Sequence, residues 1–420
     1  MGPASTPALL RRLAAPAAGL PRTFWVLWAG IFVNRCGSFV VPFLAVYLTR
    51  ERGLPVATAG LVAAAFGAGS AVASALGGWL ADHVGRRTTM VGALVLGGLG
   101  MMALGFAREL AHILTGTFLV ALVGECYRPA MQAAVADLVG PADRVRAFAL
   151  LYWVINLGYS VGLLLGGVLA SSSFLWLFLG DGLTSVLFGL MAWRLVPETR
   201  PAAGTAPGPG GGHGFLRGFL APYRDRPFLA FVLLSVLVLL IFMQHVAALP
   251  VEIAARGVPS TWLGFVLGLN GIVIVLVQPF LAPALARLDH SRTLAAGAVL
   301  VGLGFGLNAV ARDVPGFAAG VVVWTVGEIL VLPVANAVVA DLALPAMRGR
   351  YQGAFGLSFG VAAFVAPLAG NAVLQHLGSA ALWIGCLALG VLVALGQLAL
   401  APRLRRLRQV RLSASVTSAT

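Results

Sequence analysis

The stretch PAMQAAVADLVGPADRVR at residues 129–146 returns 204 positions later as PVANAVVADLALPAMRGR at residues 333–350. Ten of the eighteen positions are identical, among them Pro129/Pro333, Asp137/Asp341, Pro141/Pro345, Arg144/Arg348 and Arg146/Arg350. Because the charges recur together with the apolar residues, shared composition does not explain the match. A Gly-Glu pair also recurs, Gly124-Glu125 and Gly327-Glu328, one residue out of register. The chain is two related halves.

Composition makes those halves membrane units. Apolar residues are 60% and charged residues only 10% of the chain, against about 25% charged in soluble domains. Runs long enough to span recur throughout. Twelve spans are expected, at 23–49, 57–81, 88–107, 112–139, 147–171, 174–196, 228–251, 261–286, 293–311, 315–342, 351–375 and 380–402. The expected fold is an all-α membrane protein of two pseudo-symmetric six-helix halves, 23–196 and 227–402. A segment 1–22 precedes them, a Pro/Gly-rich linker 197–226 joins them, and a basic tail 403–420 follows. Duplicated membrane units point to an alternating-access transporter with its site where the halves meet.

The net charge of +14 suggests nucleic acid until its placement is read. All 28 basic residues are Arg; 21 fall on the side of the termini, five on the other side, and Arg35 and Arg128 inside spans. Basic loops stay inside, which puts both termini in the cytoplasm of a bacterial cell membrane and leaves no role for nucleic acid. The tail arginines Arg403, Arg405, Arg406, Arg408 and Arg411 anchor that topology or touch anionic lipid. Cys36, Cys126 and Cys386 all lie in apolar spans, with no metal or disulfide spacing. No cofactor or metal is expected. The six histidines are scattered, which argues against a membrane enzyme.

Between spans 2 and 3 the chain reads Gly78-Trp79-Leu80-Ala81-Asp82-His83-Val84-Gly85-Arg86-Arg87. This is similar to the major facilitator superfamily, whose loop here is G-x-L-x-D-x-x-G-R-R/K. Gly78 and Gly85 suit close approach and a tight turn. Asp82 suits a contact with the other half that exists in one state only, hence a cytoplasmic gate with Arg86 and Arg87. A simple turn and topology anchor is the alternative. The corresponding loop at 286–292 has lost the pattern. D-x-x-x-P-x-x-R-x-R follows both span 4 (Asp137, Arg144) and span 10 (Asp341, Arg348), and is expected to tie each half's cytoplasmic face together.

Ionisable residues inside a bilayer cost about 2.5–3.5 kcal/mol each and mark function. Span 1 has Asn34 and Arg35, span 4 Glu125 and Arg128, span 7 Gln244 and His245, span 10 Glu328 and Asn336. At 1.5 Å per residue, Arg35 lies roughly 18 Å along span 1, and Glu125 and Glu328 lie roughly 20 Å along theirs. In the family this chain resembles, spans 1, 4, 7 and 10 line the central cavity. Asn34, Arg35, Arg128, Gln244, His245 and Asn336 are thus the cavity candidates. Glu125 sits one turn from Arg128 and pairs with it, as a coupling device or as a fixed structural pair. Glu328 has no cation in its own helix and is the leading proton site, with Glu125 second. Asp181 in span 6 reads as a structural hydrogen bond.

Span 5 carries Gly158, Gly162, Gly166 and Gly167, similar to the G-x-x-x-G-P-x-x-G-G motif of drug/proton antiporters, with Leu163 in place of the Pro. The repeat-mate in span 11 keeps it as Pro367. Aromatics at Trp25, Trp28, Phe32, Phe39, Phe43, Phe242 and Trp324 suit a lipophilic or amphiphilic substrate. The reading is a monomeric, proton-coupled efflux transporter in contact with membrane lipid. The alternatives are an uptake symporter or a lipid flippase of the same fold. A single Cys at Gly210 in a Cys-free background should resist an impermeant thiol reagent in intact cells. Ready labelling from outside would refute the twelve-span topology.

Overall fold

The computed structural model describes residues 19–38, 40, 44, 47–48, 52–53, 56–201, 220–258 and 260–417. Residues 1–18, Phe39, Phe43, most of the outer part of span 1 and linker residues 202–219, with Gly210, lie outside the described residues. Eleven helices among the described residues are long and apolar enough to cross a membrane, and they fall on spans 2–12. Span 1 is described as the helix Arg22–Cys36. No strand occurs among the described residues.

The two halves pack alike. Span 3 meets span 6 where a Cβ on Gly98 would lie 2.6 Å from the carbonyl oxygen of Gly182. Span 9 meets span 12 where a Cβ on Gly390 would lie 2.8 Å from the Cα of Gly302. In lipid, where no hydrophobic force drives helices together, such backbone approaches supply the packing energy.

Three spans depart from simple rods. Span 4 is two helices, Leu110–Gly124 and Tyr127–Leu138, broken at Glu125 and Cys126. The cause is Pro129, which has no N–H for the Glu125 carbonyl; that carbonyl accepts from Arg128 N at 3.2 Å instead. Span 7 breaks ahead of Pro250, with helix Arg226–Phe242, a tight turn Met243–His245 and helix Ala248–Ala255. Span 12 does not stop at residue 402: one helix runs Ser379–Thr417 and takes in most of the expected tail. Arg405, Arg408 and Arg411 of this extension pair with Asp289 (3.0 Å), Asp341 (2.7 Å) and Asp225 (2.5 Å). Arg403 and Arg406 are exposed.

The halves meet through spans 2 and 11 and through spans 5, 8 and 10. Contact is tightest at the face bearing the 82–87 loop, here the gate face. There a Cβ on Gly349 would lie 2.5 Å from the Gly78 carbonyl. Farther along, a Cβ on Gly360 would reach Ala71 at 3.4 Å, and one on Gly67 would meet no described atom within 4 Å. Span 5 is stitched to span 8 by Trp153 Nε1 donating to the Val275 carbonyl (2.9 Å) and Gln278 Nε2 donating to the Ala149 carbonyl (2.8 Å).

Candidate functional site

The candidate gate lies at a helix that lacks its own cap. The helix of span 11, Arg348–His376, begins after Met347, whose side chain caps nothing. Its first N–H groups are taken by Asp82 of the other half: Gly349 N donates to Oδ1 and Arg350 N to Oδ2, both at 2.9 Å. The Asp82 carboxylate also receives Arg350 Nε at 3.1 Å and Arg86 at 3.2 Å, and is fully enclosed. An anion at a helix N-terminus meets both unsatisfied donors and the positive end of the helix dipole.

Arg86 is completely buried. Its guanidinium donates to Asp137 (3.1 Å), to the Ala81 carbonyl (2.8 Å) and, across the halves, to the Pro345 carbonyl (2.7 Å). The repeated motif then exchanges its charges. Asp137 pairs with Arg348, and Arg144 with Asp341 at 2.5 Å. Each motif bonds within its own half, Asp137 to Arg86 and Asp341 to Arg408, and beyond that expectation the Asp of each copy also holds the Arg of the other. Gly85 takes φ +129° just before span 3, a backbone region open to glycine. Glu198 then covers the start of span 3, accepting from Arg86 N (2.8 Å) and Arg87 N (3.1 Å). Asp289 instead caps its own helix through Arg292 N at 3.0 Å, so the two corresponding loops differ.

A cavity of about 190 Å³ lies inside the first half. Asn34, Arg35, Glu125 and Arg128 line it together, as do Tyr127, Tyr159, Asp181 and Ser185. Glu125 and Arg128 form an ion pair in which Arg128 is about half exposed (52%). Arg35 does not pair with Glu125; it donates to the Tyr127 hydroxyl, which lies beside its guanidinium. Asn34 Nδ2 donates to Ser185 at 3.0 Å. Asp181 accepts from Val40 N at 3.4 Å, as a structural hydrogen bond would, and also faces the cavity. Gly158 and Gly162 bring span 5 against span 1 at Arg35: a Cβ on them would lie 2.7 Å from Arg35 Cβ and 2.8 Å from the Arg35 carbonyl. Gly166 and Gly167 continue the same helix, Arg144–Ser172.

Glu328 sits apart from this cavity, buried where the halves cross. Its Oε1 accepts from the Tyr152 hydroxyl of span 5, and its Oε2 from Asn270 Nδ2 of span 8 at 2.6 Å. Asn270 also reaches Thr325 at 3.1 Å. Among the described residues Glu328 has no ion pair.

The remaining cavity candidates lie elsewhere in the second half. Gln244 is buried against span 11, with Nε2 donating to the Ala366 carbonyl at 3.2 Å. His245 has Nδ1 2.7 Å from the Phe242 carbonyl, so that nitrogen carries the proton, and its ring packs against both Phe242 and Trp324, which also touch each other. Trp324 is core rather than cavity, stacked on Phe305. Asn336 Nδ2 bonds the Leu332 carbonyl in its own helix at 2.9 Å.

A family model described as Major Facilitator Superfamily matches residues 27–277 and 245–417. The chain belongs to the major facilitator superfamily. It is a membrane transporter rather than an enzyme. It is 27% identical over 369 residues to the Na(+), Li(+), K(+)/H(+) antiporter of Planococcus maritimus, covering 80% of this chain and 86% of that one. It is 25% identical over 373 residues to the multidrug resistance protein MdtH of Aeromonas salmonicida, covering 87% and 91%. Its fold matches the crystal structure of the human organic anion transporter MFSD10 (TETRAN) with TM-score 0.74 and 19% identity, over 90% of this chain and 100% of that chain.

Sequence reading missed Tyr152, Asn270 and Tyr127 in this transporter. Asn270 had a signal, as a polar residue deep in a span of high hydropathy. The tyrosines had none, since tyrosine is ordinary in apolar spans.

Asp82→Asn should leave expression largely intact and lower transport. Losing charged hydrogen bonds across the gate should cost about 1–3 kcal/mol of closure. Cysteine cross-linking between the ends of spans 2 and 11 should fall with it; wild-type transport and cross-linking would return Asp82 to a turn residue. Glu125→Gln leaves Arg128 without its partner. Because Arg128 is half exposed, the loss of thermal stability should be smaller than the ~3–5 kcal/mol of a fully buried broken pair. A melting curve of the purified variant measures it.

Proposed function

We propose that the protein is a proton-coupled exporter of a lipophilic or amphiphilic small molecule, working by alternating access in the bacterial plasma membrane with both termini in the cytoplasm. The gate face is then the cytoplasmic face, closed in this conformation. The functional units are the halves 23–196 and 227–402. The observation that carries the reading is the Glu328 carboxylate, buried at the crossing of the halves and bound by Tyr152 from one half and Asn270 from the other.

A charged carboxylate strengthens both bonds, since hydrogen bonds to an ionised acceptor are roughly twice as strong as neutral ones. Proton arrival at Glu328 removes that charge. The Tyr152 link across the halves weakens, while the Asn270 link stays within one half. A proton thus changes the balance between two arrangements of the halves, which is what coupling requires. Among the described residues no arginine pairs with this carboxylate, whereas Glu125 is held by Arg128. The antiporter and multidrug resistance names of the two relatives support exchange and export. Trp28, stacked with Phe32 (6.2 Å) and Trp153 (5.8 Å), offers an aromatic column suited to an apolar substrate.

In everted vesicles, Glu328→Gln should abolish transport driven by a pH gradient and leave substrate binding or passive exchange measurable. Protein-free vesicles control for leakage of lipophilic substrates. Full gradient-driven transport in this variant would remove Glu328 from coupling. Movement of substrate in the opposite sense would make the protein an uptake symporter.

A further inference from the structure

We infer that the exported molecule carries a carboxylate-like anionic head group, and that Arg35 receives it in the cavity inside the first half. The inference rests on the exporter reading and names its substrate class.

Of the two arginines lining this cavity, Arg35 is the one with no carboxylate partner among the described residues. A guanidinium has five N–H groups in a planar fork. Among the described residues Arg35 hydrogen-bonds only the Tyr127 hydroxyl, forms no ion pair, and has its Nε buried without a partner. Gly158 and Gly162 of span 5 press on its backbone and Cβ, so the residue is held in place rather than left in a loose gap.

The cavity beside it holds two carboxylates, and both are engaged. Glu125 is taken by Arg128, and Asp181 accepts from Val40 N at 3.4 Å. They balance the lining charge at a distance but leave the Arg35 fork unfilled. The volume of about 190 Å³ corresponds to roughly six waters at about 30 Å³ each. That admits a benzoate-sized head and is smaller than the ~300–1,000 Å³ of a drug-sized pocket. Leu94, Met101 and Val120 supply apolar wall, and half-exposed Arg128 and exposed Tyr159 mark the open side. A carboxylate fits the arginine fork through two parallel hydrogen bonds. A quaternary ammonium offers no acceptor to Arg35 and meets a second guanidinium at Arg128.

The test compares two probes with the same hydrocarbon, 4-butylbenzoate and 4-butylphenyltrimethylammonium, titrated into the purified full-length protein in nanodiscs. The benzoate should bind at least about tenfold more tightly than the ammonium, a difference of about 1.4 kcal/mol. Arg35→Gln should weaken benzoate binding by about tenfold or more and leave the ammonium within about twofold. Equal or tighter binding of the ammonium, binding of neither probe up to millimolar concentration, or wild-type benzoate affinity in Arg35→Gln would each overturn the inference. The two-probe comparison decides the matter in wild-type protein even if Arg35→Gln does not fold. Glu328→Gln should still bind the benzoate. Loss of the coupling reading with benzoate binding intact, or the reverse, separates the two claims.

Discussion

The carboxylate of Asp82 at the start of span 11 is the contact on which this arrangement of the halves depends. A helix begins in one half and its end is satisfied by the other. Neither half can satisfy both groups alone: the Asp82 anion is buried, and the span 11 amides have no local cap. Separating the halves therefore exposes a buried anion and unsatisfied amides at once, and both must be rehydrated. Arg86 extends the same logic, since one buried guanidinium ties span 2, span 4 and the loop before span 11. The close approach of spans 2 and 11 at Gly78 and Gly349 brings the carboxylate within reach.

Two further polar centres sit deeper, and they differ in what they ask of the membrane interior. The first-half cavity gathers charges of both signs around a volume open to a ligand. The Glu328 centre, among the described residues, has one carboxylate held by the neutral donors Tyr152 and Asn270. Span 5 connects them: its glycines press on Arg35 while its Tyr152 reaches Glu328. A displacement of span 5 is felt at both places, which gives the two sites a shared mechanical element without any direct contact.

Much of the fold was legible in the sequence because its signals are redundant. The repeat, the apolar runs and the 78–87 loop each point to the same architecture. Asn34, Arg35, Glu125 and Arg128 were legible as a group because charge is conspicuous in an apolar span. Gln244 and Asn336 show the limit. Sequence gives depth along a helix, but rotation about the helix axis is set by packing, and both residues turn into the second half. The partner of Asp82 was hidden for another reason: a backbone amide has no letter. The indirect clue was the helix of span 11 starting after Met347 with no capping side chain. The break in span 4 was readable from Pro129, and the length of the last helix was not, because the arginines that look like a loose tail are held by Asp225, Asp289 and Asp341.

The exchanged pairs Asp137–Arg348 and Arg144–Asp341 have the form of an isologous contact, the kind that identical subunits make across a two-fold axis. Each half carries both the acid and the base of the same bond. A half is thus complementary to itself as well as to its partner. Once the two copies are joined in one chain, that symmetry no longer constrains them. Asp82 bridges the halves on one side of the axis, while on the other side Asp289 has turned to its own helix and the last helix of its own half. The chain retains a symmetric lock with an asymmetric bolt, so its two halves need not release in the same order.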